Sequence, residues 1–459
     1  MTKTGAIDIL FLTQNIGSVK MKKKILRVIC ILLCFTIIFV SICFFQKEKP
    51  ANQQIEITES TAVNNTVVES STELVTEADT ATEFESTTET TTQLQIPSVT
   101  IPPLKNSPVS ANSGELGNLV RQVAEKYGAV GVQVATIKDG VVSSTAESGW
   151  AIVDEMPMTA DTKIRIASLS KTVVGMVAFK LIEDDKLSLD ADISEYLGVE
   201  VKHPEYPEIT ITLRMLLTHT SGITDKGYQN SLEEIREFLK TPEAYRDKPG
   251  EIYRYNNYGF GLVGTICECV TNRSLNALAK QYFIKPMGLK ASFLGGQLDK
   301  NKVANLYNNK GEITLSVADS TDLMRDDTKP GSRMMLYPGG LITSATDFAR
   351  LLTLFINDGM YNGVELLSKE SIALMHTPNL PKSAVQCMPM KRMNGMYKQD
   401  YMYYHTGSAY GVYSLYVYNP ETKTGVVVVT TGAKAEKDNH GNYAVCGDIV
   451  KGIIENNLF

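Results

Sequence analysis

This chain of 459 residues has little of what most metal, redox and nucleic-acid chemistry needs: one tryptophan, five histidines and seven cysteines. His203, His219, His376, His405 and His440 are scattered and form no His-Glu-x-x-His pair or comparable ligand spacing, so no metal site is expected. Cys30, Cys34 and Cys43 fall in a hydrophobic segment, and Cys267, Cys269, Cys387 and Cys446 follow no zinc or redox spacing. Buried thiols are the expectation for these four, with one disulfide conceivable in an exported protein. The net charge of −6 arises largely in one acidic stretch, which excludes a nucleic-acid footprint. A Gly-x-Ser-x-Gly elbow is also lacking.

What is present divides the chain into four parts. Residues 1–24 are a basic N-terminus, with Lys22, Lys23 and Lys24 followed by Arg27. Residues 25–45 contain an uncharged run from Val28 to Phe45, at the short limit for a membrane span of about 20 residues. The basic flank implies a cytoplasmic N-terminus and a single-pass anchor at the cell membrane. "MKKKILRVIC" from Met21 also reads as a secretory start, in which case 1–20 lie upstream of the true start and the segment is cleaved to secrete the rest. Either reading exports the remainder. Residues 46–113, as in "TEADTATEFESTTETTTQ", are rich in Thr, Ser and Glu and cannot bury enough apolar surface to offset the entropy of ordering them. They read as a disordered stalk.

Residues 114–459 carry regular hydrophobic periodicity and enough length for a sizeable core. "VGVQVATIKDGVVSSTAESGWAIVD" alternates about an Asp139-Gly140 turn and predicts a hairpin. "YSLYVYNPETKTGVVVVTTGA" predicts two more strands near the C-terminus. Helices fit 117–127, 170–183 and 443–456 by period and length. Strands at both ends with helices between them predict an α/β (α+β) fold: one antiparallel sheet closed by the two ends and flanked by helices, with a mainly helical lobe from about 190 to 330.

"IASLSKTVVGM" places Ser168 three residues before Lys171 in an apolar stretch. With a helix starting near Ser168 the two share one face. A serine hydroxyl is a weak nucleophile until a neighbour takes its proton. Burial among groups such as Val173, Val174 and Val177 disfavours the charged form of Lys171 and frees it to be that neighbour. Ser-x-x-Lys alone is common, and other parts of an acyl-transfer site are needed. In "PGEIYRYNNYGFGLVG", Tyr255 supplies a phenol for proton transfer and Asn257 an amide for lysine and substrate. In "YYHTGSAYGVYSLYVY", His405, Thr406 and Gly407 open a predicted strand, where a glycine lets a substrate backbone approach and the two polar residues can take a carboxylate.

In that order, Ser168-Leu-Ser-Lys171, Tyr255-Asn-Asn257 and His405-Thr-Gly407 resemble the penicillin-recognising serine hydrolases, specifically the class C β-lactamase and DD-peptidase branch. "LLTHTSGI" and "YPGGLITSATDFARLL" are similar to further segments of that branch. The resemblance spans about 115 to 455 and implies a β-lactamase/transpeptidase-like fold with no cofactor. It implies that Ser168 is acylated, that Lys171 and Tyr255 move protons, that Asn257 positions substrate, and that the N–H groups of Ser168 and Ser408 hold the oxyanion. Two departures stand out. Asn256 replaces the usual middle serine, and His405 replaces a lysine, so carboxylate binding is expected to weaken as pH rises through an imidazole pKa near 6.5. The expected partner is a cell-wall peptide or D-alanyl ester, with β-lactams possible, and the expected activity a D-alanyl-D-alanine carboxypeptidase. An esterase or β-lactamase on the same fold is the alternative, and a penicillin sensor or wall-binding module without turnover a second one. His219 of "THTSG" reads as a structural turn rather than a Ser221 partner.

Overall fold

The structure is a computed structural model that describes residues 109–459 apart from 228, 324–328 and 380–383. The basic terminus, the hydrophobic segment 25–45 and nearly all of the stretch 46–113 lie outside the described residues. Residues 109–113 are part of the folded head: Val109–Ser110 pairs in parallel with Ser144–Thr145, and Asn112 Nδ2 donates to Glu147 at 2.7 Å. The sequence boundary at 114 therefore falls a few residues late, because two short residues with no periodic signal are recruited by an edge strand.

The head is built on a nine-stranded sheet. Its central strands are β1 (Gly131–Lys138), β2 (Val141–Ile152), β3 (Lys391–Asn394), β4 (Tyr401–Ala409), β5 (Val412–Asn419) and β6 (Thr424–Thr431). In spatial order they run β2-β1-β6-β5-β4-β3. The chain's first long strand thus pairs antiparallel with its last, Val134 abreast of Val428. The β1–β2 turn needs positive φ at both central residues, 53° at Asp139 and 76° at Gly140, which Asp and Gly tolerate. Within β6 the valines alternate between two separate cores. Val426 and Val428 face α1 (Glu115–Tyr127) and the C-terminal helix Ala444–Glu455, while Val427 and Val429 face the rest of the molecule.

On that second face lies α2 (Ser170–Glu183), buried around its whole circumference from Ser170 to Phe179. A helix apolar on every side belongs inside, which is what "VVGMVAF" encodes. The middle of the chain forms a helical lobe of short helices, among them α3 (Leu213–Leu217), and the longer α4 (Asn257–Thr271). Among the described residues no helix is long and apolar enough to cross a membrane.

Candidate active site

Ser168 precedes α2 rather than opening it. It sits in a 3₁₀ turn, Ala167–Leu169, with Ala167 held at φ 52°. That left-handed conformation is disfavoured for alanine, and the surrounding contacts impose it. Ile166 N–H donates to Leu341 O at 3.0 Å, Ser414 Oγ donates to Ile166 O at 2.8 Å, and Ser170 Oγ donates to Ala167 O at 2.6 Å. The turn is thus tied to β5 on one side and to the loop before Ile342–Thr343 on the other. It lifts a half-exposed Ser168 into a cleft of about 450 Å³.

Lys171 is fully buried, and its Nζ lies 3.2 Å from Ser168 Oγ. Its other contacts are Asn257 Oδ1 at 2.8 Å and Pro338 O at 2.9 Å, both acceptors. The Asn257 orientation follows from Asp225, whose carboxylate takes Asn257 Nδ2 at 3.2 Å and so leaves Oδ1 for the lysine. Two N–H groups of a neutral amine are occupied by acceptor oxygens, and its lone pair is left for the serine proton. Burial pulls the Lys171 pKa down to about 7, against a weaker upward pull from Asp225. The apolar walls are aromatic: the rings of Tyr255 and Phe260 lie 4.8 and 5.7 Å from Nζ.

Tyr255 is hydrogen-bonded to Ser168, and burial nonetheless drives its phenol well above the ordinary value. The phenol therefore stays protonated at neutral pH, and of the two groups beside Ser168 Oγ Lys171 is the one able to accept a proton. Asn256, which replaces a serine, caps α4: its Oδ1 accepts from Gly259 N–H at 2.8 Å and its Nδ2 donates to Ile223 O at 2.6 Å. Its own N–H donates to His219 Nδ1 at 3.0 Å. His219, at φ 58° in the turn after α3, packs 4.5 Å from the Tyr255 ring and is held neutral by burial and by the charge of Lys171. It supports the Tyr255–Asn257 stretch from beneath.

His405 requires a correction. Its ring is 4 % exposed, and Nδ1 donates to Thr406 O at 2.8 Å. Burial, and then the charge of Lys171, lower its pKa to about 3. The imidazole is neutral across the physiological range and cannot serve as the titrating cation for a carboxylate. Thr406, Gly407 and Ser408 line the cleft with it. A Cβ at Gly407 would stand 2.2 Å from Ser414 Oγ and 2.9 Å from Ile166 O, so only glycine lets β4 lie this close to the nucleophile turn.

Every candidate residue read from the sequence except Lys171 lines this cleft, and Lys171 backs Ser168 from below. Sequence reasoning missed Asp225, which also accepts the N–H groups of Asn257 and Tyr258 at 2.8 Å each. It missed Tyr253, although the Tyr253-x-Tyr255 spacing puts two rings on one side of an extended segment. Lys391, Lys437 and Tyr443 of the cleft carry no local signal. Elsewhere, His376 Nε2 bonds Tyr418 Oη at 2.7 Å and its ring stacks on Tyr403, a packing role. Cys267, Cys269, Cys387 and Cys446 are free thiols, and Cys269 alone is half-buried rather than buried. Among the described residues no group of three or more His, Cys, Asp or Glu is placed to hold a metal ion.

A helix-flanked sheet with a serine and a buried lysine at one helix start defines the serine-hydrolase fold of β-lactamases and penicillin-binding proteins. Residues 116–446 match the Beta-lactamase family, and the chain belongs to it. It is 23 % identical over 331 residues to protein flp of Staphylococcus aureus (strain MW2), covering 69 % of this chain and 62 % of that one. It is 29 % identical over 253 residues to a putative fimbrial assembly protein FimD of Dichelobacter nodosus, 52 % and 60 % of the two chains. The chain thus spans somewhat under two thirds of the length of these curated relatives. Among solved structures, the octameric penicillin-binding protein homologue from Pyrococcus abyssi superposes with TM-score 0.59 at 23 % identity, over 76 % of this chain and 77 % of that one. The D-amino acid amidase from Ochrobactrum anthropi gives 0.58 at 22 %, over 75 % and 99 %. These two likenesses describe the fold.

Proposed function

We propose that this chain hydrolyses acyl substrates through an acyl-enzyme at Ser168, as a D-alanyl-D-alanine carboxypeptidase of the cell wall. The observation that carries the reading is Lys171: buried, with no carboxylate in contact, and pointing one free valence at Ser168 Oγ. Ser168 gives its proton to Lys171 Nζ as Oγ bonds the substrate carbonyl carbon. The carbonyl oxygen takes the electron pair, held by the N–H groups of Ser168 and Ser408, donors that in comparable sites lower the barrier by about 2.7–4 kcal/mol. The intermediate collapses, the C–N bond breaks, and the leaving amine takes the proton from Lys171 through Tyr255. Water repeats the sequence on the ester and releases the acid.

The basic residues 22–27 and the uncharged run 28–45 support a tether that holds the head outside the membrane, with 46–108 as spacer. A second reading, hydrolysis of neutral esters or amides, is favoured by the uncharged His405 and agrees with the amidase likeness.

Intact mass of the full chain after exposure to a penicillin, beside Ser168→Ala, tests the acyl-enzyme. A penicilloyl adduct in the wild type and none in the variant is the expected result. Turnover of an acyl-D-alanyl-D-alanine peptide against its C-terminal amide then separates the two readings.

A further inference from the structure

Glu268 lies near the end of α4 and is 1 % exposed. The helix is buried without interruption from Tyr258 to Glu268, and a carboxylate on such a helix costs free energy unless donors meet it. Leu275 N–H donates to its Oε1 at 3.1 Å, Gly331 N–H donates to its Oε2 at 3.0 Å, and the Tyr337 hydroxyl donates to Oε1 as well. An ionised carboxyl accepts at both oxygens in this way. Cys267 and Cys269, on the same helix, feel the charge: each thiol is pushed up by burial and then by Glu268.

Tyr337 is buried and held on two further sides. Its ring stands edge-on to Phe293 with centroids 5.5 Å apart, and a Cβ at Gly264 of α4 would come within 2.4 Å of its Cδ2. The residues that follow cradle the nucleophile turn. Pro338 O accepts from Lys171 Nζ at 2.9 Å, Gly339 O accepts from Arg165 Nε at 2.8 Å, and Leu341 O accepts from Ile166 N–H at 3.0 Å. Leu341 N–H in turn donates to Ser170 Oγ at 3.0 Å. The carbonyl that meets the catalytic lysine therefore belongs to the residue next to the one whose side chain Glu268 holds.

We infer that Glu268 is a positioning residue for the reaction at Ser168: through the Tyr337 hydroxyl it fixes Pro338 O against Lys171 Nζ, which aims the amine at Ser168 Oγ. The inference rests on the acyl-enzyme at Ser168. A carbonyl oxygen stabilises an ammonium more than an amine, so a Pro338 O that drifts away lowers the pKa of Lys171 and leaves its nitrogen free to turn. The other titratable groups around Lys171 are Tyr255, His219, His405 and Asp225. None of them belongs to the chain from Glu268 through Tyr337 to Pro338, so a shift that follows Glu268 and Tyr337 reports that chain.

The test measures acylation of the full chain by benzylpenicillin at one concentration across about pH 5–9, quenched and read by intact mass. Ser168→Ala is the blank, and melting temperature is taken alongside. The wild type should titrate with a midpoint near the Lys171 pKa of about 7. Tyr337→Phe removes the hydroxyl but keeps the ring and the charge of Glu268. It should slow acylation about tenfold and lower the midpoint by about half a pH unit or more. Glu268→Gln, whose NH2 group opposes a backbone N–H, should move rate and midpoint in the same direction, and the double variant no further than the larger single one. If one single variant does not fold, the midpoint of the other decides. An unchanged midpoint in the folded variants, whatever their melting temperature, would overturn the inference and leave Glu268 a structural brace. Shifts that add in the double variant would overturn the route through Tyr337. A wild type that forms no Ser168-dependent adduct would overturn the acyl-enzyme reading and this inference with it.

Discussion

Among the described residues two lysines are buried, and their partners separate structure from chemistry. Lys163, 2 % exposed, is met by Asp347 at 2.9 Å and Asp161 at 3.0 Å, a compensated charge. Lys171 has only neutral oxygens around it, so its charged form is not compensated and its pKa falls to about 7. The base is the unprotonated form, so acylation by a fixed penicillin concentration should rise with pH through about 7 and level off above it. Below that value it should fall by about tenfold per pH unit. Lys171→Arg should abolish the adduct as fully as Lys171→Met, by about a hundredfold or more in rate, because a guanidinium cannot accept the proton. Stopped-flow acylation at several pH values reads both. Asp225 acts through Asn257, whose side chain and backbone it orients, and it is itself exposed. Asp225→Ala should slow acylation about tenfold with little change in melting temperature, and a parallel loss of both would mark it as merely structural.

At the scale of elements, the site is assembled from one turn, one helix start and one strand, and the interesting joints are where these touch. The N-cap of α4 is Asn256, which also satisfies Ile223 O, so a single side chain seats both the helix and the loop carrying Asp225. Asn256→Ala should cost about 1–3 kcal/mol, a lost cap plus a buried carbonyl left without its donor, measurable by urea unfolding. Asn256→Ser should recover the cap portion. β4 meets the nucleophile turn at Gly407, and an added Cβ would strike Ser414 Oγ and Ile166 O. Gly407→Ala should therefore push β4 from the turn and reduce acylation about tenfold or more, with penicillin adduct formation as the readout.

At the scale of the whole molecule, three histidines, His219, His376 and His405, are held neutral by burial. His405 titrates near 3, His376 near 4 and His219 well below its ordinary value, each chiefly through burial, while all three titrate near 6.5 in the unfolded chain. Their folded-state values lie below the unfolded ones, so below pH 6.5 the unfolded state binds protons that the native state refuses. Stability should accordingly be full near neutrality and fall as pH drops from about 6.5 toward 4, by up to about 1.4 kcal/mol per pH unit for each histidine. Urea midpoints at pH 7 and pH 5 measure it, and a flat profile would contradict neutral burial.

Much of this architecture was legible in the chain. The Asp139-Gly140 hairpin, the helix over Ser170–Glu183 and the closing strands follow from period and turn chemistry, which are local properties. The order of Ser168, Lys171, Tyr255, Asn257 and His405 likewise marks one site because each lies in a short motif of distinctive composition. The tertiary structure alone decided the rest. Whether His405 carries charge depends on how much water reaches it and on how near Lys171 comes, and neither quantity is encoded within a few residues. Asp225 and Lys391 reach the site from a loop and a neighbouring strand, so no local pattern marks them. Sequence determines which groups are available and what backbone they prefer. Only packing sets the distances and the dielectric, and those decide that Lys163 is paired with carboxylates while Lys171 is surrounded by neutral oxygens.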